Sequence, residues 1–394
     1  MTQTAISPPL LVQMQRRAWL VGAGGVVLAL LGVWLNLAQF FRAYLVAYLF
    51  WSGIALGCLA LLMLHHLVGG AWGAMIRRLL EAGTRTLPLM VVLFVPLLYG
   101  LTTLYSWARP EVIAHDVLLQ HKSLYLNKPF FLQRAVAYFA IWLIMAFFLN
   151  YWSRQQERLA GALPERRVQR RLRLLSAPGL MLYVLTVTFA AIDWIMSLEP
   201  HWYSTLYGVV ILAGQILATL AFAIVLITRL AEVPPVSTVL APQHLHDLGN
   251  LLLAFVMFWA YIAFSQFLII WAGNLPEAVP WYVHRMQGSW EWLGLLVLLL
   301  HFGIPFAVLL SRTSKRRAQV LARIAAGLLV MHLLELFWLV LPAFHPSTLV
   351  IHWLDLGLPI GMGGLWMGVF VWQLQRRSLL PLHDPRLQEV LHHD

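Results

Sequence analysis

Residues 204–228 read STLYGVVILAGQILATLAFAIVLIT, a run without a single charged side chain. A bilayer core is crossed by roughly 20 apolar residues in an α-helix, and backbone amides in lipid have to bond within their own segment. This stretch is therefore read as a membrane-spanning helix. Working outward from it, comparable segments occur at 18–38, 43–67, 86–107, 131–152, 178–198, 247–272, 290–310, 319–341 and 353–374. Composition agrees. The 394 residues are 61% hydrophobic and 11% charged, with a mean hydropathy of +0.76, whereas a soluble domain carries about 25% charged residues. Strand-length alternation is absent from the sequence. The expected fold is an all-α polytopic membrane protein of about ten transmembrane helices.

The net charge of +11 is arranged by side. Arg16, Arg17, Arg77, Arg78, Arg85, the run from Arg154 to Arg173, Arg229, the run from Arg312 to Arg323, Arg376, Arg377 and Arg386 alternate with the other connections. They make 21 of the 27 Lys and Arg; Arg42, Arg109, Lys122, Lys128, Arg134 and Arg285 are the other 6. The positive-inside rule puts the larger set in the cytoplasm, so both termini are expected there, in a bacterial inner membrane. The basic excess then reports topology and contact with lipid headgroups, not nucleic acid. Trp107, Trp152, Trp202, Trp271 and Trp290 sit near span ends, where aromatic belts form. Cys58 is the single cysteine, which excludes internal disulfides, cysteine-held clusters and a CxxCH haem attachment. No cleavable signal is visible around Arg16 and Arg17. The segment 153–174 (SRQQERLAGALPERRVQRRLRL) is expected to form a cytoplasmic amphipathic helix, and 109–130 an ordered outer loop. Phosphate-loop, dinucleotide, HExxH and serine-elbow motifs are lacking.

Ionisable residues inside spans are costly and therefore candidates for function. Tyr183, Thr186, Ala190, Asp193 and Ser197 are spaced to share one helical face, and Glu199 and His201 follow. Together with His115 and Asp116 in the outer loop, Asp193, Glu199 and His201 form the first candidate group, a quinone-type pocket at the outer level. The alternative for Asp193 is a helix-end network tying the fifth span to its neighbours. His332 and Glu335 share a face of the ninth span, either as a proton relay or as a hydrogen-bonded packing pair. In the seventh span, Asp247, Asn250, Ala254, Phe258, Tyr261 and Ser265 form a polar-tinged stripe, expected to face a polar interior, though Asp247 also suits an N-cap. A second candidate group, a proton path, comprises His246, Asp247, Tyr261, Ser265, His301, His332 and Glu335. A bis-histidine haem b would need paired histidines at one depth; His301 and His332 are the only approximate pair, and their depths in the sequence do not match. No metal site is expected.

Four strings resemble one family: PEVIAHDVLLQHKSLYLNKPFF (110–131), DWIMSLEPHWYSTLYG (193–208), HLHDLGN (244–250) and FWAYIAFSQFLIIWAGNLPE (258–277). They are similar to ActF, an integral membrane component of alternative complex III, a quinol:cytochrome c oxidoreductase, and to its NrfD- and PsrC-like relatives. The likeness runs from about residue 40 to the end and includes the His-x-x-acid pair at His332 and Glu335, where the family often has Asp. It implies two four-helix bundles, spans 2–5 within 43–200 and spans 6–9 within 201–342. An N-terminal segment and first span (1–42) and a tenth span with a tail (343–394) lie outside them. It also implies a chain without a redox centre of its own. Quinone or quinol and bound phospholipid are the expected small molecules. The implied partners are a paralogous quinol-binding membrane protein, an iron–sulfur protein, multihaem and monohaem cytochromes c, and small membrane proteins of the same complex. The competing readings are a stand-alone secondary transporter, for which GLPIGMGG (357–364) would be a broken helix, and a haem b anchor of a dehydrogenase.

The charge asymmetry makes a direct prediction. A reporter active only in the periplasm, inserted near residue 165, should be silent; activity there would overturn the orientation.

Overall fold

The computed structural model of the chain describes residues 9–158 and 165–381. The described residues are 84% helical, and no strand occurs among them. The principal helices are α1 (Pro9–Leu35), α2 (Leu37–Val68), α3 (Ala71–Thr84), α4 (Leu87–Tyr99), α5 (Lys128–Arg158) and α6 (Glu165–Trp194). After them come α7 (Tyr207–Arg229), α8 (Pro242–Gly273), the short α9 (Val279–Arg285), α10 (Ser289–Leu310), α11 (Ala318–Val340) and α12 (Trp353–Leu374). Nine of these are long and apolar enough to cross a membrane. A tenth crossing arises if α3 and α4, bent by 42° at the break between them, count as one span. The chain is an all-α multi-pass membrane protein.

Helices α2 and α7 form the centre. Their apolar windows are 94% and 89% buried, and they pack on each other. Around α2 lie α3, α4, α5 and α6; α8 and α11 lie against α7, and α10 packs on α8 and α11. The chain is thus two four-helix groups joined through their first helices, with α1 and α12 against α2. Glycines set the α1–α12 contact. A Cβ on Gly25 would fall 2.2 Å from the Cα of Gly361, and one on Gly364 would fall 2.3 Å from the nitrogen of Gly22. Lipid offers no hydrophobic drive for helices to associate, so close backbone approach through small residues takes its place. GLPIGMGG is therefore a packing surface within a continuous helix, not the broken helix of a transporter.

Two expectations need correction. The stretch before residue 86, read as a cytoplasmic loop, is the buried helix α3, which packs against α2, α7 and α12. It can be buried because its charges are satisfied locally. Glu81 accepts from Arg77 (3.0 Å), Arg78 (2.6 Å), Arg377 (2.9 Å) and Ser153 (2.5 Å). Nor is 153–174 a separate surface helix. Its two ends belong to α5 and α6, which run past the apolar zone, and residues 159–164 lie outside the described residues.

Gly361→Leu should separate α1 from α12 and cost about 1–3 kcal/mol, the scale of overpacking a filled contact. Gly24→Leu is the control, since a Cβ there meets nothing within 4 Å. Unfolding in detergent should distinguish the two; equal stability would refute the packing account.

Candidate functional site

The site is built on α11. Residues three apart share a helix face, so His332 and Glu335 point the same way, and both are buried. The Nδ1 of His332 lies 2.9 Å from Glu335 Oε2. From α8, Trp259 donates its Nε1–H to Glu335 Oε1 at 2.6 Å. From α10 comes His301, fully buried, its Nδ1 3.8 Å from Glu335 Oε2. His301 sits in a π-helical stretch, Leu298–Gly303. Pro305 has no N–H to return to the carbonyl of His301, and a widened turn of this kind is frequent at functional positions. The rings of Trp259 and His301 stack with centroids 4.3 Å apart and planes at 5°. Gly214 of α7 leaves room for the cluster, since a Cβ there would lie 2.8 Å from His332 Cε1.

The chemistry follows from the donors. When Glu335 is ionised, His332 donates from Nδ1; when Glu335 is protonated, the direction can reverse. One proton can thus be held at either group without a rearrangement of heavy atoms.

Beside this cluster lies a cavity of about 760 Å³ between α8, α9, α10 and α11. Its walls are mainly apolar and aromatic, including Phe264, Phe267, Trp281, Leu295 and Leu298, and Glu335 is part of the lining. Tyr261, Phe264 and Leu298 are exposed on the outer surface of the helices, so the cavity opens sideways. At its far end is Arg285, buried, with its guanidinium 3.7 Å over Trp281 and 2.7 Å from Glu199. Burial pushes the Tyr282 phenol up to about 12, so this wall group stays neutral. Two donors of the lining lack partners: Trp338 Nε1 and Arg285 Nε.

The first candidate group does not converge on a pocket. Asp193 is closed by an ion pair. Its Oδ1 and Oδ2 accept from Arg134 at 2.8 and 2.9 Å, and Tyr138 adds a bond at 2.9 Å. The one-face reading of Tyr183, Thr186, Ala190, Asp193 and Ser197 holds, for all five are buried; the face serves helix packing. Asp116 and His201 pair at 2.7 Å on the surface. There the Leu119 backbone N–H, and then His201, hold the Asp116 carboxyl below its usual range. Glu199 pairs with Arg285 and lies 3.6 Å from His284. His115, next to Asp116 in the chain, is exposed.

The second group divides. His301, His332 and Glu335 come together, which removes the depth mismatch: the two imidazole centroids are 6.3 Å apart. Glu335 lies against both Nδ1 atoms, at 2.9 Å from that of His332 and 3.8 Å from that of His301. The stripe on α8 is a correction. Asn250, Phe258 and Tyr261 are exposed, Ser265 is half-buried, and the inward face carries Leu252, Val256, Trp259 and Gln266 instead. His246 and Asp247 stay at the helix end, 3.8 Å apart, where Lys315 donates to Asn250 at 2.6 Å. Asp247 is not the N-cap, because α8 starts five residues earlier, where the Ala241 N–H donates to His244 Nδ1 at 3.0 Å. The sequence reading missed Trp259 and Arg285 as site residues; the one signal for Trp259 was its position among the apolar residues opposite the stripe.

Among the described residues, no group of three or more His, Cys, Asp or Glu side chains could hold a metal ion. Fold and site define a helical multi-pass membrane protein with a laterally open cavity ending on a buried carboxylate. No protein-family model matches the chain, and no curated protein matches it either.

Asp193→Asn should behave as a stability mutant. It leaves the buried Arg134 without its counter-charge, which costs about 3–5 kcal/mol when one partner of a buried pair is removed. Unfolding in detergent measures this, and a wild-type transition would refute the structural role.

Proposed function

We propose that the chain is the ActF-type membrane component of a quinol:cytochrome c oxidoreductase resembling alternative complex III. It lies in the bacterial inner membrane with both termini in the cytoplasm. Its second four-helix group supplies a quinone-type cavity and a proton relay centred on Glu335. The observation that carries this reading is the union of the two features: an apolar, side-opening cavity of about 760 Å³, and a buried carboxylate in its wall that shares a hydrogen bond with His332.

Oxidation of a hydroquinone to a quinone releases two electrons and two protons. A ring hydroxyl next to Glu335 can give its proton to that carboxylate, which a positioned general base requires. His332 is the next acceptor, and His301 stands beside it. The unpartnered donors of Trp338 and Arg285 suit the opposite ring oxygen. Glu199 and His284, at the outer end of the cavity, are the groups through which a proton would reach water. The electrons pass to the iron–sulfur protein and cytochromes of the partner set, because one buried cysteine cannot hold a cluster.

Two measurements test the reading. Leu295→Trp fills the cavity from its open side and should weaken binding of a short-chain quinone analogue to the purified chain by more than about tenfold. Glu335→Gln keeps the size of the side chain and its acceptor for Trp259 but removes the titrating proton. In vesicles holding the assembled complex, it should abolish proton movement per electron. Unchanged binding in the first variant sinks the cavity assignment; unchanged proton movement in the second makes Glu335 structural.

A further inference from the structure

At the arginine-rich end of the molecule, a groove of about 460 Å³ lies where α4, α5 and α12 meet. Arg85, Arg154 and Arg376 line it, and no acidic residue does. The nearby carboxylates are engaged elsewhere. Glu81 is taken by Arg77, Arg78 and Arg377, and Glu157 pairs with Arg78. Arg85 is held in place by a 2.7 Å bond from its Nε to Asn150, while its Nη2 is buried without a hydrogen-bond partner. Arg376 is laid flat over Trp372 at 3.6 Å. Three arginines thus line a space to which the protein contributes no acidic side chain.

The rest of the groove has the opposite character. Its floor runs along α5 through Leu143, Ala146 and Phe147 toward the middle of the helix. From Leu143 to Arg154 this is about 16 Å at 1.5 Å per residue. Phe147 and Tyr151 face outward, their rings stacked 6.1 Å apart. A strip of apolar surface therefore leads from the arginines into the zone occupied by lipid chains. A free anion would use the arginines and leave this strip idle, whereas a phospholipid uses both.

We propose that the groove between α4, α5 and α12 is a binding site for an anionic phospholipid, with its phosphate on Arg85, Arg154 and Arg376 and one acyl chain along Leu143 and Phe147. Guanidinium pairs well with phosphate because its planar fork offers two parallel N–H donors, and basic pockets between membrane helices attract acidic headgroups. Asn150, itself in the lining, accepts from the Nε of Arg85 and so positions that guanidinium.

The test uses the full chain, purified in detergent and stripped of lipid, titrated with short-chain phosphatidylglycerol, short-chain phosphatidylcholine or inorganic phosphate. Phosphatidylglycerol should bind at least about tenfold more tightly than phosphatidylcholine, and inorganic phosphate should not compete at equal concentration. Arg154→Gln and Arg376→Gln, both at exposed positions, should each weaken phosphatidylglycerol roughly fivefold, the worth of one basic residue at an anionic surface. Neither should change unfolding in the absence of lipid, which separates lost binding from lost folding. Equal affinity for the two lipids, or unchanged affinity in both variants, overturns the proposal. Full competition by inorganic phosphate overturns it too, by assigning the arginines to a free anion.

Discussion

A carboxylate withdrawn from water has to find donors, and the places where this chain meets that demand fix how its helices stand against one another. Burying an ion costs several kcal/mol, which only well-placed partners offset. Asp193 ties α6 to α5 through Arg134 and Tyr138. Glu81 ties α3 to α5 and to the chain just past α12 through Ser153 and Arg377. Glu199 ties the outer end of the first helix group to α9 of the second through Arg285. Glu335 ties α11 to α8 through Trp259. Apolar packing in lipid tolerates a helix sliding or turning, but a bidentate ion pair has one register. The polar contacts therefore specify the arrangement that the apolar surface fills.

The four carboxylates differ in their donors. Asp193 is saturated by a guanidinium that never gives up its proton and by a phenol. Glu81 meets three guanidiniums and a hydroxyl. Neither has a neighbouring group that can both take and return a proton. Glu335 differs, because its second oxygen faces two imidazoles, whose ring nitrogens can donate or accept. It is also the one of the four in the wall of the large cavity. Depth in the membrane alone would rank Asp193 and Glu335 together; the identity of the partners ranks them apart.

The same distinction accounts for what the sequence revealed. Runs of apolar residues and helical spacing are local, so the spans and the shared face from Tyr183 to Ser197 were legible, as was the juxtaposition of His332 and Glu335 within one turn. Arg134 and Asp193 are 59 residues apart, and Glu199 and Arg285 are 86 apart. Nothing local announces such pairs, so the sequence left Asp193 between an open site and a helix-end network, and Arg134 and Tyr138 make it the network. Charge at Arg77 and Arg78 marked only a connection between spans and gave no sign that it is a buried helix, whose neutralising acid, Glu81, lies one turn away. Polarity misled along α8. A few polar groups in a membrane helix need not point inward when the outward positions include a helix end, as at Asn250, or an amphipathic tyrosine, as at Tyr261.

The location of the cavity follows from how unequally the helices are buried. The spanning windows of α8 and α10 are 28% buried, against 94% and 89% for α2 and α7. A void between α2 and α7 could be reached only by separating the two halves of the molecule. Between α8 and α10 it is walled from lipid by side chains alone, with Tyr261 and Phe264 at the opening. A molecule already dissolved in the bilayer can enter there by moving aromatic rings, with no path through water. A proton has the reverse requirement, since it cannot cross hydrocarbon and must leave through polar groups. On the reading proposed above, these demands are met at different places: the apolar side opening for the molecule, and Glu199 and His284, beside Arg285, for the proton. This separation would let a membrane-dissolved reactant meet a titratable carboxylate without opening a continuous water channel across the protein.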